Sequence, residues 1–312
     1  MTSFSQHPAV EHVLVHMSDT HLLANGRMLY GSIDTRAYLT SFLDRLVASG
    51  LAVDALVFTG DLADRGEIDA YQDLADRVAP YAKALGAEVV WVMGNHDEIE
   101  PFAKVFYNED ATVEPQDRVY DLGGLRVISL DTSVPGYHHG EVTTAQREWL
   151  KAQLATSAPH GTILAMHHPP IATPLDLMGV IELEDQASLA GVLKGTDVRA
   201  IIAGHLHYSS FSTFAGIPVS VAAAACYNID LVAEKSTMFS TKENGLSASL
   251  VHVYPQTVVF SSVPLDDLPE LSSRASSDRK AVLAMSPEER KETLSKKTSD
   301  FNRSVDFEQS GF

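Results

Sequence analysis

The chain has 312 residues, of which 45% are hydrophobic and 21% charged, enough apolar material for one large core or a core with an appendage. Its formal net charge of −18 argues against general affinity for nucleic-acid polymers or anionic membrane surfaces, since both reward positive surface. With Cys226 as the single cysteine no intramolecular disulfide can form, and the expectation is a soluble, cytoplasmic protein with neither an export signal nor a transmembrane segment.

In chain order, short runs rich in Val, Ile and Leu predict strands over residues 13–17, 55–59, 89–93, 125–130, 162–166, 199–203, 218–222 and 250–253. Most end in Gly, Asp, Asn or Pro, as buried strands do. Helical patterns alternate with them over 34–49, 67–85, 143–154 and 184–193. In the first helix Ala37, Tyr38, Phe42, Leu46 and Val47 share a face, with Gly50 as a stop signal; in the third, Thr143 and Gln146 form a capping box. The alternation predicts an α/β protein over the first two thirds, and the strand-rich stretch 199–263 suggests a second sheet. Two face-to-face β-sheets flanked by helices accommodate both.

After Pro264 the composition turns to Ser, Glu, Lys and Arg. We therefore expect a catalytic domain over 1–265 and a C-terminal extension over 266–312. Within the extension Ser286-Pro287-Glu288-Glu289 starts a helix to about Lys297. Phe301, Val305, Phe307 and Phe312 are odd decorations for a purely solvated tail, so a mobile appendage and an arm forming a homo-oligomer, a dimer or higher, are the two expectations.

Potential metal donors stand at the carboxyl ends of the apolar runs: Asp19-x-His21, Gly60-Asp61 with Asp64 trailing, Gly94-Asn95-His96-Asp97, His167-His168 and Gly204-His205-Leu206-His207. Residues two apart in extended chain point the same way, so Asp19/His21 and His205/His207 each present two donors together. Asp61 has two oxygens with which to bridge ions. Imidazole, carboxylate and amide oxygens for two adjacent ions are the apparatus of metal-assisted phosphate ester hydrolysis. The chemistry expected of such a pair is attack of a metal-bridging hydroxide on phosphorus, and donors of this kind without thiolate suit Fe, Mn, Zn or Co.

The motif order D-x-H, G-D, G-N-H-[DE], H, G-H-x-H resembles the calcineurin-like metallophosphoesterases. Ser18-Asp19-Thr20-His21-Leu22, Leu130-Asp131-Thr132 and His167-His168-Pro169-Pro170 are similar to bacterial class III cyclic nucleotide phosphodiesterases, particularly actinobacterial ones. The resemblance runs from about residue 13 to 265 and implies a four-layer sandwich and hydrolysis of 3′,5′-cyclic nucleotides, chiefly cAMP with cGMP as a second candidate, to 5′-nucleotides. The alternative is broader action on 2′,3′-cyclic nucleotides or other phosphodiesters. It further implies one ion held by Asp19, His21, Asp61 and His207 and a second by Asp61, Asn95, His167 and His205, with an Fe and Mn pair favoured. His96 is the catalytic group at the leaving oxygen and Asp97 orients it or its loop. Asn95, His96, Asp64 and His138 are the candidate substrate contacts, with Asp64 also a candidate partner of a ligand. His168, His12, His16, His160 and His252 are expected in packing or structural roles, Cys226 as a small buried hydrophobe, and Tyr227 in packing or a base pocket.

Overall fold

The computed structural model describes residues 6–110, 112–234, 236–266, 269 and 276–303. The chain divides into two units, Val10–Asp267 and Met1–Ala9 with Leu268–Phe312.

The larger unit holds two sheets. In the first, β1 (His12–Met17), β2 (Ala55–Thr59) and β3 (Glu88–Val92) run parallel, and β12 (Ser247–Val253) and β13 (Val258–Pro264) add antiparallel beside β1. In the second, β5 (Leu125–Leu130), β6 (Thr162–Met166), β7 (Val198–Ala203) and β9 (Ile217–Val221) are parallel, with β4 (Arg118–Leu122) and β8 (Ser210–Phe214) as antiparallel edges. A small hairpin joins β10 (Asn228–Ile229) to β11 (Thr241–Lys242).

Period-two alternation explains how apolar runs serve two interfaces at once. Leu14, Val57, Val90 and Val92 of the first sheet meet Val127, Ile163, Ala200 and Ile202 of the second in one buried cluster. The intervening residues Val15, Leu56, Phe58 and Trp91 face helices α1 (Thr35–Ser49), α2 (Ile68–Leu85) and α3 (Ile99–Tyr107) through Leu43, Leu74 and Phe102. Leu164, Met166 and Ile201 face α4 (Thr144–Gln153) and α6 (Gln186–Leu193), which follows the short α5 (Asp176–Gly179), through Leu150 and Leu189. The result is the four-layer α/β arrangement.

Two expectations change. The stretch 199–263 does not form one sheet: β7, β8 and β9 extend the second, while β12 and β13 return to the first, where β12 covers the free side of β1. The buried face of α1 is Leu39, Phe42, Leu43 and Leu46; Ala37 and Val47 lie outside it, Val47 being 37% exposed. The capping box of Thr143 and Gln146 is present.

In the smaller unit the Ser286 cap and its box with Glu289 start α8 (Pro287–Arg290), after α7 (Ser276–Ala284), and a π-helical turn continues over Lys291–Ser295. Phe301 is among the described residues; Val305, Phe307 and Phe312 lie outside them. Among the described residues no helix is long and apolar enough to cross a membrane.

Candidate metal centre

Each donor motif leaves the carboxyl end of a parallel strand, where loops of an α/β sheet gather around a ligand. Asp19 and His21 follow β1, Asp61 follows β2, Asn95 and His96 follow β3, His167 follows β6, and His205 and His207 follow β7. The loops are stitched together by their backbones. Asp19 and His21 N–H groups donate to the carbonyls of Gly60 and Asp61 at 3.0 and 2.9 Å, and Gly204 N–H donates to His167 at 3.1 Å. A Cβ on Gly204 would overlap Ser18 Oγ and lie 2.7 Å from Asp19 Oδ2, so only glycine lets that strand end approach. Asp19, His21, Asp61, His205 and His207 all have left-handed φ, between 44° and 72°. Such conformations cost free energy in non-glycine residues and cluster at functional sites.

The four residues expected around the first ion converge: Asp19, His21, Asp61 and His207 place donor atoms within 4.8 Å of one another, all buried. His21 Nε2 lies 3.4 Å from Asp61 Oδ2, and His207 Nε2 lies 3.3 Å from Asp19 Oδ1. Around the second position His167 Nε2 lies 3.5 Å from Asp61 Oδ2 and 3.1 Å from Asn95 Oδ1, and His205 joins His167 and His168 in a second buried group.

The outward nitrogens decide what the inward ones present. His167 Nδ1–H donates to the Thr59 carbonyl at 2.7 Å, His207 Nδ1–H to Tyr227 at 3.0 Å and His205 Nε2–H to Ile181 at 2.8 Å. His21 Nδ1–H donates to Asp64 Oδ1 at 3.1 Å. In its neutral form each ring then keeps a lone pair on its other nitrogen, the tautomer and orientation that metal-binding imidazoles take from such outer partners. His21 Nε2 and Asp19 Oδ1 are buried without a hydrogen-bond partner. An unsatisfied buried donor or acceptor is costly, and a cation between these atoms removes that cost. The buried His/Asp cluster is therefore compatible with a two-metal site.

Electrostatics agrees. Burial pushes the Asp19 carboxyl up, but His207 and His167 outweigh it and bring it to about 2; Asp61 is likewise held well below the usual range by His167 and His21. Burial disfavours charge on His21 and His167, yet the carboxylates beside them raise these rings to about 10 and about 9. The cluster demands positive charge at its centre.

His168 behaves differently: Nδ1 pairs with Thr132 Oγ1 at 2.8 Å and Nε2 with the His138 carbonyl at 3.1 Å. Both nitrogens are used by protein, and burial lowers the ring to about 3. Asp97 accepts from the N–H groups of Leu62, Ala63 and Gly94 and from Tyr71 hydroxyl, at 2.9 to 3.2 Å. That ties the His96 loop to the Asp61 loop, and Tyr71 is a contributor that nothing in its sequence neighbourhood marked. His96 Nδ1–H donates to the Asp64 carbonyl at 2.9 Å while its N–H holds Asp61 Oδ1 at 2.8 Å.

A cleft of about 830 Å³ is lined by Asn95, His96, His138 and Asp64, among others. His138 Nδ1 lies 2.9 Å from Asn95 Nδ2 and its ring 5.1 Å from that of His96. His139 lies 4.0 Å from Glu184. Asp64 stands behind His21, so its carboxylate orients that ring while bordering the cleft. Cys226 is buried, with Sγ 3.7 Å from His207 Nδ1. Tyr227 packs its ring 4.4 Å from that of His207. His16 is buried against Thr59, and His12 pairs with His160 at the opposite ends of the strands.

Comparison with known proteins adds three findings. A model of the calcineurin-like phosphoesterase family matches residues 12–209. The chain is 55% identical over 262 residues to a cAMP/cGMP dual specificity phosphodiesterase of Mycobacterium tuberculosis, covering 84% of this chain and 82% of that protein. It also resembles the fold of a dimetal phosphatase from Danio rerio, at 13% identity and a TM-score of 0.57, covering 83% of this chain and 98% of that one.

Proposed function

Because the chain belongs to the calcineurin-like phosphoesterase family, we propose that it hydrolyses 3′,5′-cyclic nucleotides, cAMP and cGMP, to 5′-nucleotides at a two-metal centre. The observation that carries this reading is the convergence of Asp19, His21, Asp61 and His207, with His21 Nε2 and Asp19 Oδ1 left without a hydrogen bond at its middle. The Mycobacterium relative, named for action on cAMP and cGMP, supports the substrate class.

Asp19, His21, Asp61 and His207 would hold one ion, and Asp61, Asn95, His167 and His205 the other, an Fe and Mn pair being the proposed occupants. Such ions polarise phosphoryl oxygens and lower the pKa of water towards neutrality. The protein's own contribution is to fix the donors through Thr59, Tyr227, Ile181 and Asp64, and to keep the acidic centre dry. Asn95 faces the cleft between His167 and His138 and is positioned to meet a phosphoryl oxygen. With its Nδ1–H held by the Asp64 carbonyl, His96 is placed to hand a proton to the ribose 3′ oxygen as its bond to phosphorus breaks.

His96→Ala is expected to lower kcat by roughly 10²- to 10⁴-fold, the usual worth of a general acid, with metal content near that of the unmodified protein. Elemental analysis beside kcat checks both, and unchanged turnover would remove His96 from the reaction.

The function itself is tested by product analysis with 3′,5′-cAMP, 2′,3′-cAMP and bis(p-nitrophenyl) phosphate, using Mn(II)-reconstituted protein and a chelated control. Metal-dependent 5′-AMP formation with the highest kcat/KM for 3′,5′-cAMP is expected. Activity confined to the other two would keep the metal chemistry and replace the substrate with a broader range of phosphodiesters.

A further inference from the structure

A second cavity, of about 510 Å³, is lined by Tyr30, Arg27, Leu29 and Arg65 among others, and shares only Asp64 and Arg65 with the larger cleft. Each cavity is of a size that accepts a small organic ligand. Rings connect them across the metal centre: His96 packs 4.8 Å from His21, His21 5.1 Å from His207, His207 4.4 Å from Tyr227, and Tyr227 5.3 Å from Tyr30.

Tyr30 is an unusual residue for its place. It sits in a tight turn, with Gly31 N–H donating to the Met28 carbonyl at 3.2 Å and Leu29 paired with Ile33. Its φ is 50°, a conformation bulky side chains rarely adopt, and it is 67% exposed. Contact with Tyr227 engages part of the side chain, and the rest stays exposed in a strained turn. Of the two cations here, Arg27 is engaged by Glu67 at 2.5 Å, whereas Arg65 reaches Asp64 only at 3.7 Å and is 66% exposed. An aromatic face beside an available guanidinium suits a planar heteroaromatic base.

A 3′,5′-cyclic mononucleotide carries both ester oxygens on one ribose, so it has one arm and occupies one cavity. An acyclic diester extends an arm from each side of phosphorus. Resting on the phosphodiesterase reading above, we propose that the same centre cleaves linear dinucleotides, with one nucleoside in the cleft beside His138 and the base of the other stacked on Tyr30. Water oxygen forms the new bond to phosphorus as the P–O3′ bond breaks. One nucleoside leaves with a 3′-hydroxyl, taking from His96 a proton that one of the two water protons replaces; the other nucleoside keeps the 5′-phosphate, and the second water proton passes to solvent.

The test uses the metal-loaded full chain with adenylyl-(3′→5′)-adenosine, followed by chromatography of adenosine and 5′-AMP, and 3′,5′-cAMP in parallel. Tyr30→Gly removes the ring while suiting the left-handed backbone, and Tyr30→Phe keeps the ring. Tyr30→Gly should lower kcat/KM for the dinucleotide by roughly 5- to 100-fold, the worth of one base stacked on an aromatic ring, and change that for cAMP by less than about 2-fold. The Kd of the methylphosphonate-linked dinucleotide, measured by calorimetry, should weaken by the same factor, and Tyr30→Phe should behave as the unmodified protein. Cleavage of cAMP but not the dinucleotide, or an equal loss on both in Tyr30→Gly, overturns the dinucleotide proposal and leaves the cyclic nucleotide function standing. Cleavage of neither overturns both.

Discussion

On the two-metal reading proposed above, Asp61→Ala should take the protein from about two bound metal ions per chain to fewer than one and lower kcat/KM by roughly 10³-fold or more, since such ions contribute several kcal/mol of transition-state stabilisation. One oxygen of Asp61 stands 3.4 Å from His21 Nε2 and 3.5 Å from His167 Nε2, and the other accepts His96 N–H at 2.8 Å. Asp19 contacts His207 Nε2 and the backbone N–H of His205, whereas Asp61 lies against a ring nitrogen on each side of the cluster. Its loss leaves His21 and His167 without the anion that favours positive charge between them. Elemental analysis, activity and far-ultraviolet circular dichroism on the same preparation check the result. A variant that keeps two ions or full activity would refute the bridging role, and a lost fold would be visible in the dichroism. Asp61→Asn keeps an oxygen for His96 N–H but not the charge, and is expected to fall between the two.

Gly94→Ala should damage the centre through shape alone. A Cβ at Gly94 would overlap the backbone nitrogen and Oδ1 of Asp61 and lie 2.9 Å from His167 Cε1. Backbone cannot swing aside as a flexible side-chain end can, so the loops after β2 and β3 must separate. Overpacking of this kind costs roughly 1–3 kcal/mol, or about 2–12 °C in Tm for a domain of this size. A displacement near 1 Å at the reacting centre costs about 10²-fold in rate. Gly191 in α6 has nothing within 4 Å of its added Cβ, and alanine there should be neutral or mildly stabilising. Thermal melts and kcat/KM of the two variants separate contact from generic glycine effects. Equal Tm and activity in Gly94→Ala and the unmodified protein would mean that the loops do not pack as described.

Strands buried on both faces were the most legible elements. Ala55–Thr59, Leu125–Leu130 and Thr162–Met166 begin and end where their Val, Leu and Ile runs do, because both neighbours of such a strand demand apolar side chains. Edges were not. Arg118–Leu122 and Ser210–Phe214 each have one hydrogen-bonded neighbour and a half-exposed surface, so polar residues interrupt them and the apolar signal fades. The return of β12 to β1 is a long-range pairing, His12 opposite Val253, that no local pattern encodes. At the centre the converging residues could be named because imidazole and carboxylate at strand ends are chemically distinctive. Their orientation could not, since it comes from the carbonyls of Thr59, Ile181 and Tyr227, a group every residue carries. Asp64 and Tyr71 were ambiguous for a related reason: what each touches is decided by loops that meet only in the folded chain.

The donors proposed for each ion come from both sheets. Asp19, His21 and Asp61 hang from strands of the first and His207 from the second; Asp61 and Asn95 oppose His167 and His205 in the same way. An ion pair held there is a clasp across one rim of the sandwich as well as a reagent. Its binding free energy adds to the cohesion of the two layers whenever the folded protein binds metal and the unfolded chain does not. Metal scarcity in the cell would then act twice on such a molecule, first on its chemistry and then on its lifetime, because a chain with an open clasp is closer to the population that proteases see.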